Sequence, residues 1–206
     1  EEFIKNILVD KIGTKKLVIG YDHRFGKNRS GSFEELKKDG PLYGFDVEEI
    51  PEQDIDHVAV SSTKIRNALQ EGDLETANKY LGREYSISGF VVKGDGLGKK
   101  LGYPTANVKV EFEHKLIPAD GIYAVRVKRR DIVYNGMLNI GFRPTVNGNS
   151  RVIEVNIYDF NEIIYGEFIE VFFILKTRNE IRFDSLDALV EQLHRDKEEI
   201  LNILSK

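Results

Sequence analysis

Residues 94–107 read Gly94-Asp95-Gly96-Leu97-Gly98-Lys99-Lys100-Leu101-Gly102-Tyr103-Pro104-Thr105-Ala106-Asn107. Four glycines fall within the first nine residues, and two lysines lie among them. Glycine permits positive φ angles and lets the backbone approach a ligand closely, so successive amide N–H groups can form an anion-binding nest. The stretch therefore predicts a phosphate-binding loop, although a charged surface hairpin would have a similar composition.

The residues that follow the glycines favour a nucleotide. If this segment is extended, Thr105 and Asn107 project to the same side, and their oxygens can face one metal–phosphate cluster. The known nucleotide motifs fit poorly. The P-loop and Rossmann patterns require other glycine spacings, and Pro104 disfavours a Rossmann-type helix at this point.

Length and composition indicate an ordinary globular protein. The chain has 206 residues, of which 41% are hydrophobic and 31% charged, and its net charge is −4. This balance gives no electrostatic case for nucleic-acid or membrane binding. The absence of cysteine excludes disulfides and thiol chemistry, and it fits a cytoplasmic protein. Because the chain begins with Glu1 and not with Met, we expect a fragment or a trimmed chain.

The first part of the chain has α/β character. Lys16–Gly20 and Phe45–Ile50 have the composition of strands, and a capping box at Ser32 opens a helix between them. The charged, glycine-containing segment after the first strand could face a phosphate, but a solvated loop explains it as well. Similarly, Ser61-Ser62-Thr63-Lys64-Ile65-Arg66 could bind an anion at a helix N-terminus, or simply cap that helix.

Strand signals dominate from residue 85 onward. The predicted strands are Tyr85–Val92, Gly121–Lys128, Ile132–Ile140, Val152–Tyr158 and Glu167–Leu175. Because no helical pattern separates them, we expect an antiparallel sheet that closes into a small barrel. An apolar stripe that begins after Asp184 or Ser185 predicts a C-terminal helix packed against this barrel.

One carboxylate in these strands stands out. Ile153, Val155 and Ile157 share one face of their strand, and Glu154 lies on the other face. Alternation alone favours a solvated position for Glu154. A carboxylate in reach of a hydroxyl group can also orient it and accept its proton, which a weak alcohol nucleophile needs.

The motifs together resemble bacterial bifunctional riboflavin kinase/FMN adenylyltransferases (FAD synthetases). The Gly102–Asn107 box is similar to the riboflavin kinase signature, and Glu154–Phe160 matches the family's segment with the general base. Asn139–Thr145 and Arg178–Phe183 resemble two further family segments. The resemblance implies a partial Rossmann-like nucleotidyltransferase domain over residues 1–84. An antiparallel six-stranded, Greek-key-like riboflavin kinase barrel with a C-terminal helix would follow over residues 85–206.

The resemblance also implies an activity and a site. The barrel would transfer the γ-phosphate of ATP to the ribityl 5′-hydroxyl of riboflavin and release FMN, with Glu154 as general base. The implied ATP and phosphate ligands are Gly94, Gly96, Gly98, Lys99, Gly102, Pro104, Thr105 and Asn107. Thr105 and Asn107 would also hold Mg²⁺, and Arg178, Glu180 and Phe183 would hold the flavin. Lys99 departs from the family, which often has Arg there, and lysine lacks the bidentate fork.

The adenylyltransferase part implied by the resemblance is incomplete. Its matching residues are Asp22, Arg24, Ser61, Ser62, Thr63 and Arg66. The family's His-x-Gly-His signature occurs nowhere in the sequence, and His23 stands where the family usually has Phe. We therefore expect this chain to make FMN but not FAD, although a longer parent could make both.

The expected partners are ATP, riboflavin and FMN, without nucleic acid or membrane, in a monomer or weak oligomer. Two other interpretations stay open. A flavin- or nucleotide-binding module without turnover would keep the glycine loop and would not need Glu154. A purely structural barrel would bind neither ligand.

Overall fold

A computed structural model describes most of the chain. The described residues are 2–20, 23–26, 31–51, 54–55, 58–145 and 148–205, and the side chains of 54–55, 58–59, 143–145 and 148–150 lie outside the description. By packing, the chain divides into two units, Glu1–Val60 and Ser61–Lys206. In the part of the chain that is described, no helix has both the length and the apolar character needed to cross a bilayer.

The first unit is built around a small parallel sheet. Strand β1 (Lys16–Gly20) pairs in parallel with β2 (Asp46–Ile50), and helix α1 (Phe33–Asp39) lies between them in the chain. Parallel strands need such a crossover, which is the βαβ arrangement of α/β folds. A short antiparallel pair follows, formed by β3 (Asp54–Ile55) and β4 (Val58–Ala59). The α/β prediction for this part is confirmed.

The start of α1 confirms the predicted capping box. The Ser32 hydroxyl accepts a hydrogen bond from the Glu35 amide at 3.4 Å, and the Glu35 carboxylate accepts one from the Ser32 amide at 3.0 Å. The helix then buries Leu36 in a small core that also contains Ile4 and Phe45. The capping box and the burial of Leu36 therefore both stabilise α1.

Two helices open the second unit. Helix α2 (Ser62–Glu71) is capped by the Ser61 hydroxyl, and α3 (Leu74–Leu81) is capped by the Asp73 carboxylate. Leu69, Leu74 and Ala77 from these helices belong to the same core as the barrel interior. Packing thus assigns α2 and α3 to the barrel unit. The predicted family boundary after residue 84 is a separate matter and stays a prediction.

The remaining strands form the predicted closed barrel. The strands are β5 (Tyr85–Val92), β6 (Ala106–Val110), β7 (Gly121–Arg129), β8 (Ile132–Thr145), β9 (Gly148–Ile157) and β10 (Phe168–Arg178). All neighbours are antiparallel, in the order β10-β5-β6-β9-β8-β7, with β7 and β10 paired to close the ring. Strand β6 was not among the predicted strands, because its first two residues fall within the Pro-Thr-Ala-Asn box. Strands β8 and β9 are longer than predicted, since they continue together as a hairpin, and β10 extends beyond its predicted end to Arg178.

Alternating side chains give the barrel two apolar layers. The interior layer includes Tyr123, Leu138, Val155 and Phe173, each of which is fully buried. The outer layer lies beneath helix α5 (Leu186–Leu204), whose Ile200 and Leu204 pack against barrel residues Ile122, Ala124 and Met137. Ser185 caps α5 by accepting the Ala188 amide at 3.1 Å, which confirms one of the two predicted caps.

Two phenylalanines on β10 provide a test of this layering. Phe173 is 0% exposed and Phe168 is 44% exposed. We expect Phe173→Ala to lower the free energy of unfolding by about 3–5 kcal/mol, because it leaves a cavity in the interior layer. Phe168→Ala is the matched control and should cost about 1 kcal/mol, mainly through its edge-to-face contact with Phe90. Urea unfolding followed by circular dichroism measures both, and equal losses would contradict the assigned interior.

Candidate active site

One row of residues across five strands organises the site. Asn107 on β6 pairs with Glu154 on β9, and Glu154 pairs with Asn139 on β8. Asn139 pairs with Ile122 on β7, which pairs with Arg178 on β10. Side chains at such positions have Cβ atoms about 5 Å apart, so five residues distant in sequence become neighbours. Ile153 and Val155 point into the barrel, so Glu154 faces outward, as the alternation predicted.

Four residues of the row, Glu154, Asn139, Ile122 and Arg178, form the floor of a cavity of about 300 Å³ on the outside of the barrel, here called the central cavity. Asn107, at the β6 end of the row, does not line this cavity. Its walls come from the glycine loop, from the segment after β10 and from α5. The predicted site residues that line it are Gly98, Thr105, Glu154, Arg178, Glu180 and Phe183. Apolar side chains complete it, namely Leu97, Leu101, Ile122, Met137, Ile181, Leu189 and Leu193. The structure therefore brings together the glycine loop, the Glu154 carboxylate and the Arg178–Phe183 segment.

The glycine loop folds back onto the Pro-Thr-Ala-Asn box. It contains one helical turn, α4 (Leu97–Lys100), which the sequence did not predict, flanked by Gly96 at φ 73° and Gly102 at φ 82°. A Cβ atom on Gly98 would lie 2.3 Å from the Tyr103 carbonyl oxygen. Glycine is required there because the two backbone segments are in direct contact.

Thr105 and Asn107 fit the neutral oxygen ligands of a magnesium–phosphate group. Thr105 is exposed beside α4, and the Asn107 carboxamide packs against Gly94, where an added Cβ would lie 2.2 Å from Nδ2. Mg²⁺ keeps several waters and takes its remaining ligands from a few protein oxygens and from phosphates. The described residues contain no group of three or more His, Cys, Asp or Glu suited to a metal. Phosphate oxygens would therefore have to supply the charge.

Two asparagines next to Glu154 complete the polar floor. The Asn139 carboxamide oxygen is buried and has no hydrogen-bond partner among the described residues. Asn156 donates from Nδ2 to the Pro104 carbonyl oxygen at 2.7 Å, which ties β9 to the Pro-Thr-Ala-Asn box. This bond joins the strand that carries Glu154 to the residue that precedes Thr105, and so helps to fix their relative positions.

Arg178 is held by a carboxylate that the sequence analysis missed. Its Nε and Nη2 atoms donate to the two oxygens of Asp196 at 2.8 and 2.6 Å, and Gln192 donates to the same carboxylate at 2.8 Å. Asp196 is fully buried. A signal was available, since Asp196 lies between Leu193 and Ile200 on the apolar stripe of α5, where a carboxylate needs a partner.

A second link joins α5 to the glycine loop. The Tyr103 hydroxyl lies 2.5 Å from His194 Nδ1, so the two groups share a hydrogen bond. Burial raises the pKa of the Tyr103 phenol, so its hydroxyl stays protonated at neutral pH. Tyr103 lines the central cavity, so this bond also fixes part of the wall.

A smaller cavity of about 180 Å³ lies on the other side of Thr105, here called the side cavity. It shares Thr105 with the central cavity and adds Lys99 and Pro104 from the predicted nucleotide set. Residues 160–165 form one wall, including the rings of Phe160 and Tyr165. The two cavities therefore meet at the Pro-Thr-Ala-Asn box.

The other predicted residues lie as follows. Gly94, Gly96 and Gly102 belong to the loop but line neither the central nor the side cavity. Asp22 lies outside the described residues, and Arg24 is exposed in the first unit. The remaining adenylyltransferase candidates, Ser61, Ser62, Thr63 and Arg66, lie at the start of α2 in the second unit. Their roles stay predictions.

Comparison with known proteins identifies the family. A model described as riboflavin kinase matches residues 81–204, and one described as FAD synthetase matches residues 1–64. Because the first covers more than half of the chain, the chain belongs to the riboflavin kinase family. This agrees with the closed barrel and with the motifs gathered at the central cavity.

Similar proteins extend beyond this chain. A bifunctional riboflavin kinase/FMN adenylyltransferase from Haemophilus influenzae is 41% identical over 197 residues, which cover 95% of this chain and 63% of the relative. One from Buchnera aphidicola is 43% identical, with 96% and 64% covered. A crystal structure described as a macrolide-efflux protein from Streptococcus pneumoniae has a TM-score of 0.84 and 36% identity, with 98% of this chain and 64% of that chain covered. The chain thus spans less than two thirds of each.

The Arg178–Asp196 pair leads to a prediction about stability. Asp196→Ala leaves the partly buried guanidinium without its carboxylate, so we expect a loss of about 3–5 kcal/mol in the free energy of unfolding. Glu199→Ala, at an exposed position of the same helix, should change it by less than about 0.5 kcal/mol. Urea unfolding of the two variants measures the difference. A small loss for Asp196→Ala would mean that the pair does not anchor α5.

Proposed function

We propose that this chain is a riboflavin kinase, which transfers the γ-phosphate of ATP to the 5′-hydroxyl of riboflavin and yields FMN and ADP. The observation that carries the proposal is the central cavity. It combines a carboxylate, a phosphate-type glycine loop and an apolar chamber in one place. The names of the bifunctional relatives support the same reaction.

The flavin belongs in the apolar part of the central cavity. The side chains of Ile122, Met137, Phe183 and Leu193 suit the face of a fused aromatic ring. Arg178 is held in the wall by Asp196, and Glu180 lies in the same segment. The ribityl chain would extend toward Glu154, where the buried carboxamide oxygen of Asn139 has no hydrogen-bond partner among the described residues.

Glu154 serves as the general base. Its carboxylate accepts the proton of the ribityl terminal hydroxyl while that oxygen forms a bond to the γ-phosphorus. The bond between the γ-phosphorus and the β,γ-bridging oxygen breaks, and ADP leaves with that oxygen. Catalysis of this transfer comes mostly from positioning and charge stabilisation, and the glycine loop and Thr105 lie on the same side of the cavity to provide both.

The side cavity is suited to the adenosine end of ATP. It begins at Lys99 and Thr105, where the phosphates would lie, and continues into a mainly apolar space beside Phe160 and Tyr165. Bound Mg²⁺, held by Thr105 and Asn107, would neutralise phosphate charge. Lys99 is exposed and adds a point charge on the same loop.

We also propose that residues 1–84 correspond to part of an FMN adenylyltransferase module and residues 85–206 to the kinase. The match of the FAD synthetase model to residues 1–64 supports the first assignment. No His-x-Gly-His occurs in the sequence, so FMN and not FAD is the expected product of this chain.

Replacement of the proposed base tests the assignment. Glu154→Gln keeps the shape of the side chain and removes its basicity, so kcat should fall about 10²–10⁴-fold. Binding of riboflavin and of ADP with Mg²⁺, measured by calorimetry, should stay close to that of the unchanged chain. The matched control is Glu170→Gln, a strand carboxylate that binds Ser86 and lines neither cavity, and it should leave kcat unchanged.

Other outcomes separate the alternatives. Near-normal turnover of Glu154→Gln would reject the general base. A folded, unchanged chain that binds both ligands but forms no FMN would support a binding module without turnover. A chain that binds neither ligand would support a purely structural barrel.

A further inference from the structure

We propose that Arg129 is a positioning residue for the nucleotide, because it holds in place the loop that walls the side cavity. The loop comprises residues 159–166 and is called here the 159–166 loop. Arg129 lines neither the central nor the side cavity, so its effect would pass through this loop. The inference rests on the proposed binding of ATP.

Arg129 makes an unusually complete set of contacts. Its Nε and Nη2 atoms donate to the two oxygens of Glu167 at 2.9 and 2.8 Å, and its Nη1 atom donates to Glu162 at 2.9 Å. The guanidinium carbon also lies 5.3 Å from the centre of the Phe160 ring. The Arg129 side chain is only 9% exposed. Planar, bidentate contacts of this kind are a property of arginine that lysine does not reproduce.

Arg129 and Glu167 each stabilise the charged form of the other. The bidentate hydrogen bond from Arg129 lowers the pKa of the Glu167 carboxyl group, and Glu167 in turn raises the pKa of Arg129. Both groups are therefore charged at neutral pH. The Glu162 side chain is 61% exposed, so its ion pair with Arg129 is weaker because solvent screens the charges.

The contacts of Arg129 are spread along the 159–166 loop, with Glu162 in its middle. Phe160 is near its start, and Glu167 directly follows its end. Asp159 at φ 54° and Gly166 at φ 79° turn the chain sharply at these two points. Backbone bonds attach the ends to the barrel, from the Tyr158 amide to Asn135 and from the Gly166 amide to Val91.

Within the loop, some side chains are packed and others are exposed. Ile164 is buried in the interior core, but Ile163 is 83% exposed and Tyr165 is 59% exposed. Phe160 packs against Tyr134 and beneath the Arg129 guanidinium. Arg129 thus helps to hold Phe160 and Glu162, which both line the side cavity.

The effect should be confined to one substrate. The 159–166 loop lines the side cavity and contributes no residue to the central cavity. A change in Arg129 should therefore weaken binding of adenine nucleotide and leave riboflavin binding largely intact. A purely structural role would lower thermal stability without this selectivity.

The test compares Arg129→Gln and Arg129→Lys with Arg126→Gln. Arg126 lies on the same strand and pairs with Glu84, which is outside the 159–166 loop, so it is a matched control. For each variant, calorimetry gives the Kd of ADP with Mg²⁺, and kinetics give the KM values of ATP and riboflavin, at a temperature where circular dichroism shows a folded chain. We expect Arg129→Gln to raise the Kd of ADP and the KM of ATP about tenfold, with the KM of riboflavin within about twofold.

Arg129→Lys should give an intermediate effect, and it decides the matter if Arg129→Gln does not fold. Unchanged ADP affinity in a folded Arg129 variant, or equal increases in both KM values, would overturn the inference. The same measurements on the chain without substitutions show whether the role of Arg129 or the proposed kinase activity has failed. If that chain forms FMN while the Arg129 variants bind ADP normally, only the role of Arg129 is rejected. If it is folded and binds no ADP, both proposals are rejected.

Discussion

The register of the antiparallel barrel is the constraint on which the site depends. Glu154 stands between Asn107 and Asn139 because β6, β9 and β8 pair at those residues. Since side chains alternate between faces, a slip of one residue in β9 would turn Glu154 into the apolar interior. The interior layer opposes such a slip, because Ile153 and Val155 would then move to the outer face. The same strand register therefore determines both the packing of the barrel core and the position of the Glu154 carboxylate.

Three contacts fix the elements that surround this row. Asn156 ties β9 to Pro104, Asp196 holds Arg178 against α5, and Arg129 supports the 159–166 loop. Each uses a charged or carboxamide side chain that hydrogen-bonds to another part of the protein. Such contacts hold the walls in the fixed arrangement that the proposed transfer between two ligands would need. The central and side cavities meet at Thr105, so the reacting groups of riboflavin and ATP would converge there in the proposed function.

Local patterns predicted much of this arrangement. Tyr85–Val92 has the predicted bounds, the Ser32 capping box is formed, and Glu154 faces away from the interior. The turn α4 was not predicted, because a short glycine-rich segment takes its conformation from its neighbours. Strand β6 was not predicted, because it is short and begins within the Pro-Thr-Ala-Asn box. Asp196 and Arg129 acquire their charged partners, Arg178 and Glu167, only through tertiary packing. Even so, each of the two charged residues occupies a position where the periodicity of its helix or strand predicts a buried apolar residue. A charge at such a position is a usable signal for a buried ion pair.

Product analysis tests the central claim most directly. The chain is incubated with riboflavin, ATP and Mg²⁺, and riboflavin, FMN and FAD are separated by chromatography. We predict that FMN forms and that FAD does not, because the central cavity contains the proposed kinase groups while the sequence lacks His-x-Gly-His. The appearance of FAD would contradict the proposed division of activities. No FMN from a sample shown to be folded would contradict the kinase itself.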